Sequence, residues 1–110
     1  MTVLGDVPVK LPIDWDRIEA FCRKWGIAEL ALFGSVLRDD FGPESDVDVL
    51  VRYTPDAEPS LFNHVEKEEE LAEIFGRPVD LLSRKAVERS RNPFRRRSIL
   101  ESARVIYDAA

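Results

Sequence analysis

Asp46 and Asp48 stand two residues apart in the run Asp46-Val47-Asp48-Val49-Leu50-Val51. On a β-strand successive side chains alternate faces, so both carboxylates project from one side, with Val47 and Val49 on the other. Two carboxylates held close repel unless a cation lies between them. A hard divalent cation such as Mg²⁺ takes oxygen ligands and keeps positions open for substrate phosphate. Upstream, Leu32-Phe33-Gly34-Ser35 reads as an apolar strand running into a Gly-Ser turn. Such a turn offers a backbone that can approach a phosphate closely, a hydroxyl, and amides facing the anion if a helix begins there. The two stretches together suggest a site for a metal and a nucleoside triphosphate. A plainer reading of the acids is solvent-facing polarity on an amphipathic strand, and it would be preferred without Gly34-Ser35. A calcium loop fits poorly, because the loop glycine and the later bidentate Glu are missing at their required spacing. A third acid, Asp80, sits among apolar neighbours in Pro78-Val79-Asp80-Leu81-Leu82. A buried carboxylate is costly unless paired with a charge or metal, which argues for grouping it with Asp46 and Asp48.

Gly34-Ser35, ten further residues and then Asp46-Val47-Asp48 resemble the signature of the minimal nucleotidyltransferases, small members of the DNA-polymerase-beta-like superfamily. Arg38, three residues after Ser35, and Ser45, just before the first acid, also match the fuller pattern, as does Asp80 for its third carboxylate. The resemblance runs from about Ile18 to Tyr107. Leu37 and Asp39 depart from the small residue and glycine that often flank the arginine, and Asp39 adds an acid beside a phosphate site.

The resemblance implies an α+β, polymerase-beta-like fold with a small mixed sheet flanked by helices. It implies that Asp46, Asp48 and Asp80 hold one or two Mg²⁺ ions and serve catalysis. Gly34, Ser35, Arg38 and Ser45 would bind the nucleotide, and AMP would pass from ATP to an acceptor hydroxyl. It also implies a partner, since small single-domain members commonly accompany a HEPN-type toxin as its antitoxin, and some transfer AMP onto a toxin tyrosine. Two further readings stand beside this one: a binding-only antitoxin that masks its toxin, and a transferase acting on a small molecule.

Composition sets outer bounds. A chain of 110 residues, 45% apolar and 34% charged, suits one soluble globular domain with a single modest core. Residues 1–13 read as an arm and 14–110 as the nucleotidyltransferase domain. No apolar run approaches the roughly 20 residues that span a bilayer, and no signal peptide is expected. One cysteine, Cys22, excludes an internal disulfide framework and fits a reducing cytoplasm. A net charge of −5 argues against nucleic-acid binding across the whole surface. The charge is uneven, however: acids dominate from Asp39 to Asp80 and arginines from Arg84 onward. Arg95, Arg96 and Arg97 are candidates for contact with a partner.

The elements that must position the acids follow from pattern. Asp14 is a candidate N-cap for a helix whose face is Ile18, Phe21, Cys22 and Trp25, closed by Gly26. Cys22 reads as a small core residue. Strands are predicted at 27–33 and 46–53, with a short helix opening at Val36-Leu37-Arg38. A helix over 61–75 carries Leu61, Val65, Leu71, Ala72, Ile74 and Phe75 as its apolar stripe, interrupted by the charged run 66–70. His64 reads as a surface or helix-packing residue. A strand at 78–82 follows, then a helix from Asn92-Pro93 to about Ser102, with Phe94, Ile99 and Leu100 as its apolar side. Arg104-Val105-Ile106-Tyr107 reads as the last strand. Pro8 and Pro12 restrict any strand in the arm to a sheet edge.

Overall fold

The structure is a computed structural model and describes residues 2–3, 13–34, 46–55, 57 and 63–109. Its strands are β1 (Thr2–Val3), β2 (Ile27–Phe33), β3 (Val47–Tyr53), β4 (Val79–Ser83) and β5 (Arg104–Asp108). Its helices are α1 (Trp15–Trp25), α2 (His64–Phe75), α3 (Arg84–Glu88) and α4 (Pro93–Ser102). The strands form one sheet in the order β1-β5-β2-β3-β4. Every neighbouring pair is antiparallel except β3 and β4, which run parallel. A parallel pair needs a crossover connection, and α2 lies within it. The expected mixed sheet flanked by helices is what the chain forms.

β2 is nearly continuous in apolar residues because both its faces are covered. Leu30 and Leu32 enter a core shared with α1 and α2, joined by Val47, Val49, Val51, Leu81 and Ile106. Ala31 and Phe33 face the other way, into a smaller cluster with Leu50, Val87 and Ile99 under α3 and α4. A bulge between Leu30 and Ala31 shifts the β2–β5 register, and both Ile106 and Tyr107 are buried in the larger core. Thr2 and Val3 pair with β5 at the sheet's edge, while Pro8 and Pro12 lie outside the described residues.

The helix ends follow their sequence signals. The Asp14 side chain accepts a hydrogen bond from the Arg17 amide at 3.2 Å, and Gly26 closes α1 at φ 68°. Gly76 ends α2 in the same way, at φ 72°. Asn92 caps α4, accepting from the amides of Phe94 and Arg95. α3 is an addition that apolar periodicity did not signal, since it has a single buried residue, Val87. The local cue for it is Ser83, whose hydroxyl accepts from the Ala86 amide at 3.1 Å.

Two expected core residues prove exposed. On α2 the inward ridge is Lys67, Leu71 and Phe75, at i, i+4 and i+8. Val65 lies two positions before Lys67, roughly 200° around the helix, and is 59% exposed. Lys67 is only 3% exposed although charged. Its ammonium donates to the Tyr53 hydroxyl at 2.9 Å and lies over the Tyr53 and Trp25 rings, 4.6 and 5.3 Å from their centroids. The aliphatic stem fills the ridge while aromatic faces and a hydroxyl receive the charge. On α4, Ile99 is buried, and Phe94 lies five positions earlier, roughly 140° around the helix, and is 85% exposed.

Among the described residues, no helix is long and apolar enough to cross a membrane. The helix expected at 36–38 and the start of the one expected from 61 lie outside the described residues.

Leu71 is fully buried at the centre of the larger core. Leu71→Ala is expected to lower unfolding free energy by about 2–5 kcal/mol, measured by urea denaturation. Burial pushes the Cys22 thiol from 9.0 up to about 12. The folded protein should therefore resist iodoacetamide at pH 8 and react readily once unfolded in urea. Between about pH 9 and 12 the unfolded thiol ionises while the folded one keeps its proton, so this group makes stability fall as pH rises through that window.

Candidate active site

The parallel register of β3 and β4 pairs Val47 with Val79, Asp48 with Asp80 and Val49 with Leu81. Register partners on adjoining strands share a face, so Asp48 and Asp80 stand side by side. Val47, Val49 and Leu81 are buried against α1 and α2, which sets both carboxylates on the opposite face. Asp46 immediately precedes β3 and is exposed, two residues from Asp48 and separated from it by the inward-facing Val47. The Val47 amide donates to the Pro78 carbonyl at 2.9 Å, tying the start of β3 to the start of β4.

β2 completes the row. Phe33 is the register partner of Asp48, and Gly34 follows it with φ 76°. A Cβ at Gly34 would overlap the Asp48 carboxylate and lie 3.3 Å from its Cγ. Glycine is therefore required twice, by the backbone conformation and by the approach of an acid. Deeper on the same face, Phe33 and Leu50 pack with Val87 and Ile99, giving the carboxylate row an apolar neighbour.

Asp80 is exposed rather than buried. The expected penalty for burying it does not arise, and strand register rather than desolvation accounts for its position beside Asp48. Ser35, Arg38 and Ser45 lie outside the described residues. Among the described residues, no three His, Cys, Asp or Glu side chains form a ready metal-binding group.

One supporting residue was hidden in the charged run of α2. Glu68 accepts a hydrogen bond from the Leu81 amide at 2.8 Å, pinning β4 next to Asp80. His64 reaches the same carboxylate, with Nε2 3.4 Å from Oε2, so it belongs to the helix surface as expected. A glutamate among four charged neighbours gives no sequence sign of such a contact. Its partner is a backbone amide on a strand 13 residues away.

The chain matches the nucleotidyltransferase domain family over residues 17–106. It is 36% identical over 78 residues to MJ1379 of Methanocaldococcus jannaschii, named by inference as a protein adenylyltransferase, covering 71% of this chain and 75% of that one. The protein adenylyltransferase MntA of Thermococcus cleftensis is 35% identical over 65 residues, which is 59% of this chain and 64% of that protein. A solved structure described as a minimal nucleotidyltransferase superposes with a TM-score of 0.61 at 26% identity, covering 81% of this chain and 85% of its own. The crystal structure of a toxin–antitoxin pair with AMP-PNP shares the fold, with a TM-score of 0.65 at 18% identity over 84% of this chain and 72% of that one. With a family match across most of its length and relatives above 30% identity, the chain belongs to the nucleotidyltransferase domain family and is a nucleotidyltransferase.

Proposed function

We propose that this protein transfers AMP from ATP to a hydroxyl of a partner protein in a Mg²⁺-dependent reaction, and that it serves as the antitoxin of a HEPN-type toxin. The observation that carries the reading is the alignment of Asp48 with Asp80 on neighbouring strands, with Gly34 against Asp48. Acids 32 positions apart in sequence have no structural need to share one row of a sheet. The names of the relatives support the choice of AMP and of a protein acceptor. The AMP-PNP complex among the structural neighbours supports the nucleotide, and its toxin–antitoxin assembly supports the partner.

Mg²⁺ suits these donors chemically, since carboxylate oxygens are hard ligands and Asp46 and Asp80 are exposed to an incoming hydrated ion, and the ion itself would draw together acids that do not stand as a ready group without it. Asp46, Asp48 and Asp80 would hold it, and once bound it supplies charge neutralisation for the triphosphate and the departing pyrophosphate. The protein's own groups do the rest. Gly34 and Ser35 donate hydrogen bonds to the β and γ phosphates, with Ser45 and the Arg38 guanidinium adding to that grip. Asp80 draws the proton from the acceptor hydroxyl, whose oxygen attacks the α-phosphorus. The bond from that phosphorus to the β-phosphate oxygen breaks, pyrophosphate leaves, and AMP remains esterified to the acceptor.

Incubation with α-labelled ATP, Mg²⁺ and the product of the adjacent reading frame tests this. Label should appear on that protein, vanish with EDTA, and fall about 10²–10³-fold in Asp48→Asn or Asp80→Asn. Toxin neutralisation by those variants without label would instead identify a masking antitoxin. Label confined to a small hydroxylated compound would identify a small-molecule transferase. Gly34→Ala should cost only about 1–2 kcal/mol of stability through its positive φ. Its transfer rate should fall further than that loss explains, because the new Cβ displaces the Asp48 carboxylate; calorimetry and the same labelling assay separate the two effects.

A further inference from the structure

The outer side of α4 carries a surface that neither the core nor the carboxylate row uses. Phe94 is 85% exposed, and Arg91, Arg95 and Arg97 are exposed around it. Arg97 is paired with Glu101 at 2.9 Å, and Arg96 reaches back to the Ser90 carbonyl at 3.1 Å. Arg89, Arg91 and Arg95 have no ion-pair partner among the described residues. From 84 to 104 the sequence holds eight cationic residues against two acidic ones, in a chain whose net charge is −5. An exposed phenylalanine adds nothing to folding, and guanidinium groups gathered around it repel one another. An acidic surface with an apolar hollow answers both conditions, with the aromatic as anchor and the arginines as charge-matched rim.

The location gives this surface a use. Val87 of α3 and Ile99 of α4 pack on Phe33 and Leu50, and Phe33 is the register partner of Asp48. The two helices therefore lie over the sheet face from which Asp48 and Asp80 project, so a partner seated on the outer side of α4 is held on that same side of the sheet. A nucleic acid suits the patch less well, because the chain's overall negative charge repels a phosphodiester backbone.

We propose that the exposed side of α4, centred on Phe94 with Arg91 and Arg95, docks an acidic surface of the protein acceptor and holds it on the carboxylate side of the sheet. This rests on the protein-acceptor reading above. The test is calorimetric titration of the full chain with the purified product of the adjacent reading frame, at 50 and 300 mM salt. Phe94→Ser and the double variant Arg91→Glu/Arg95→Glu should each weaken binding at least tenfold, while circular dichroism and melting temperature stay unchanged. Affinity of the unmodified chain should fall with salt, and its transfer reaction should show a raised KM for the acceptor with kcat preserved in the variants. Equal binding by variants and unmodified chain overturns the docking surface and leaves the function standing. Failure of the unmodified chain both to bind and to transfer removes the function itself, and the docking surface with it. Binding of a single-stranded RNA 20-mer, or self-association of the chain, that is lost in the same variants would reassign the surface and overturn the proposal.

Discussion

The arrangement of this molecule depends on the register of one parallel strand pair. Side chains alternate with period two, so a slip of one residue between β3 and β4 would turn Asp80 into the α1–α2 core and Leu81 out of it. The register is held from several directions. Val79 and Leu81 flank Asp80 and are drawn to the apolar side with Val47 and Val49. The Val47 amide bonds to Pro78 at the start of the pair, and Glu68 holds the Leu81 amide from the far side. α2, which carries Glu68, is itself fixed over the sheet by Leu71, Phe75 and the Lys67–Tyr53 contact. The helix that makes the parallel crossover thus also fastens the strand it leads to.

The sheet acts as a partition. Its α1–α2 face takes most of the apolar burial, with Ile18, Leu30, Leu32, Val47, Val49 and Leu71 all buried there. Among the described residues its other face is covered only by α3 and α4, over Ala31, Phe33 and Leu50. Asp48 and Asp80 emerge on that face beyond the cover these two helices give. A protein of this size has one substantial core, and a second complete layer over the same sheet would leave no room for a ligand. The smaller cluster is therefore both a stabilising layer and one wall of the site.

Much of this was legible in the sequence, for identifiable reasons. The Val47-Asp48-Val49 alternation, the Asp14 and Asn92 caps and the Gly26 and Gly76 stops are local signals, and the chain obeys them. What could not be read depended on rotation or on distant partners. The sequence shows a helix over 64–75, but its charged run conceals which side faces inward, so Val65 and Lys67 exchange the roles their polarity suggests. Apolarity alone would put Phe94 on the inner side of α4, but Ile99 sets the buried side and Phe94 faces away from it. α3 is not legible in the sequence because a five-residue helix with one buried side chain has no apolar periodicity. The burial argument for placing Asp80 with the other acids does not hold, since its carboxylate is exposed; strand pairing, which no local pattern displays, aligns it with Asp48.

That exposure bears on how such a site can exist at all. Three acids buried together would burden folding with charges stripped of water, and single-domain proteins of this length have only a few kcal/mol to spare. Asp46 and Asp80 at the solvent edge of the sheet keep their hydration, so the fold forms without needing a counter-charge there. The expensive interior position is instead given to Lys67, which has two aromatic faces and a hydroxyl to receive it. Charge that serves the fold is buried and partnered, while Asp46 and Asp80 are left in water at the edge of the sheet. A ligand that brings positive charge can then meet these two carboxylates where they are still hydrated, without the cost of opening the core.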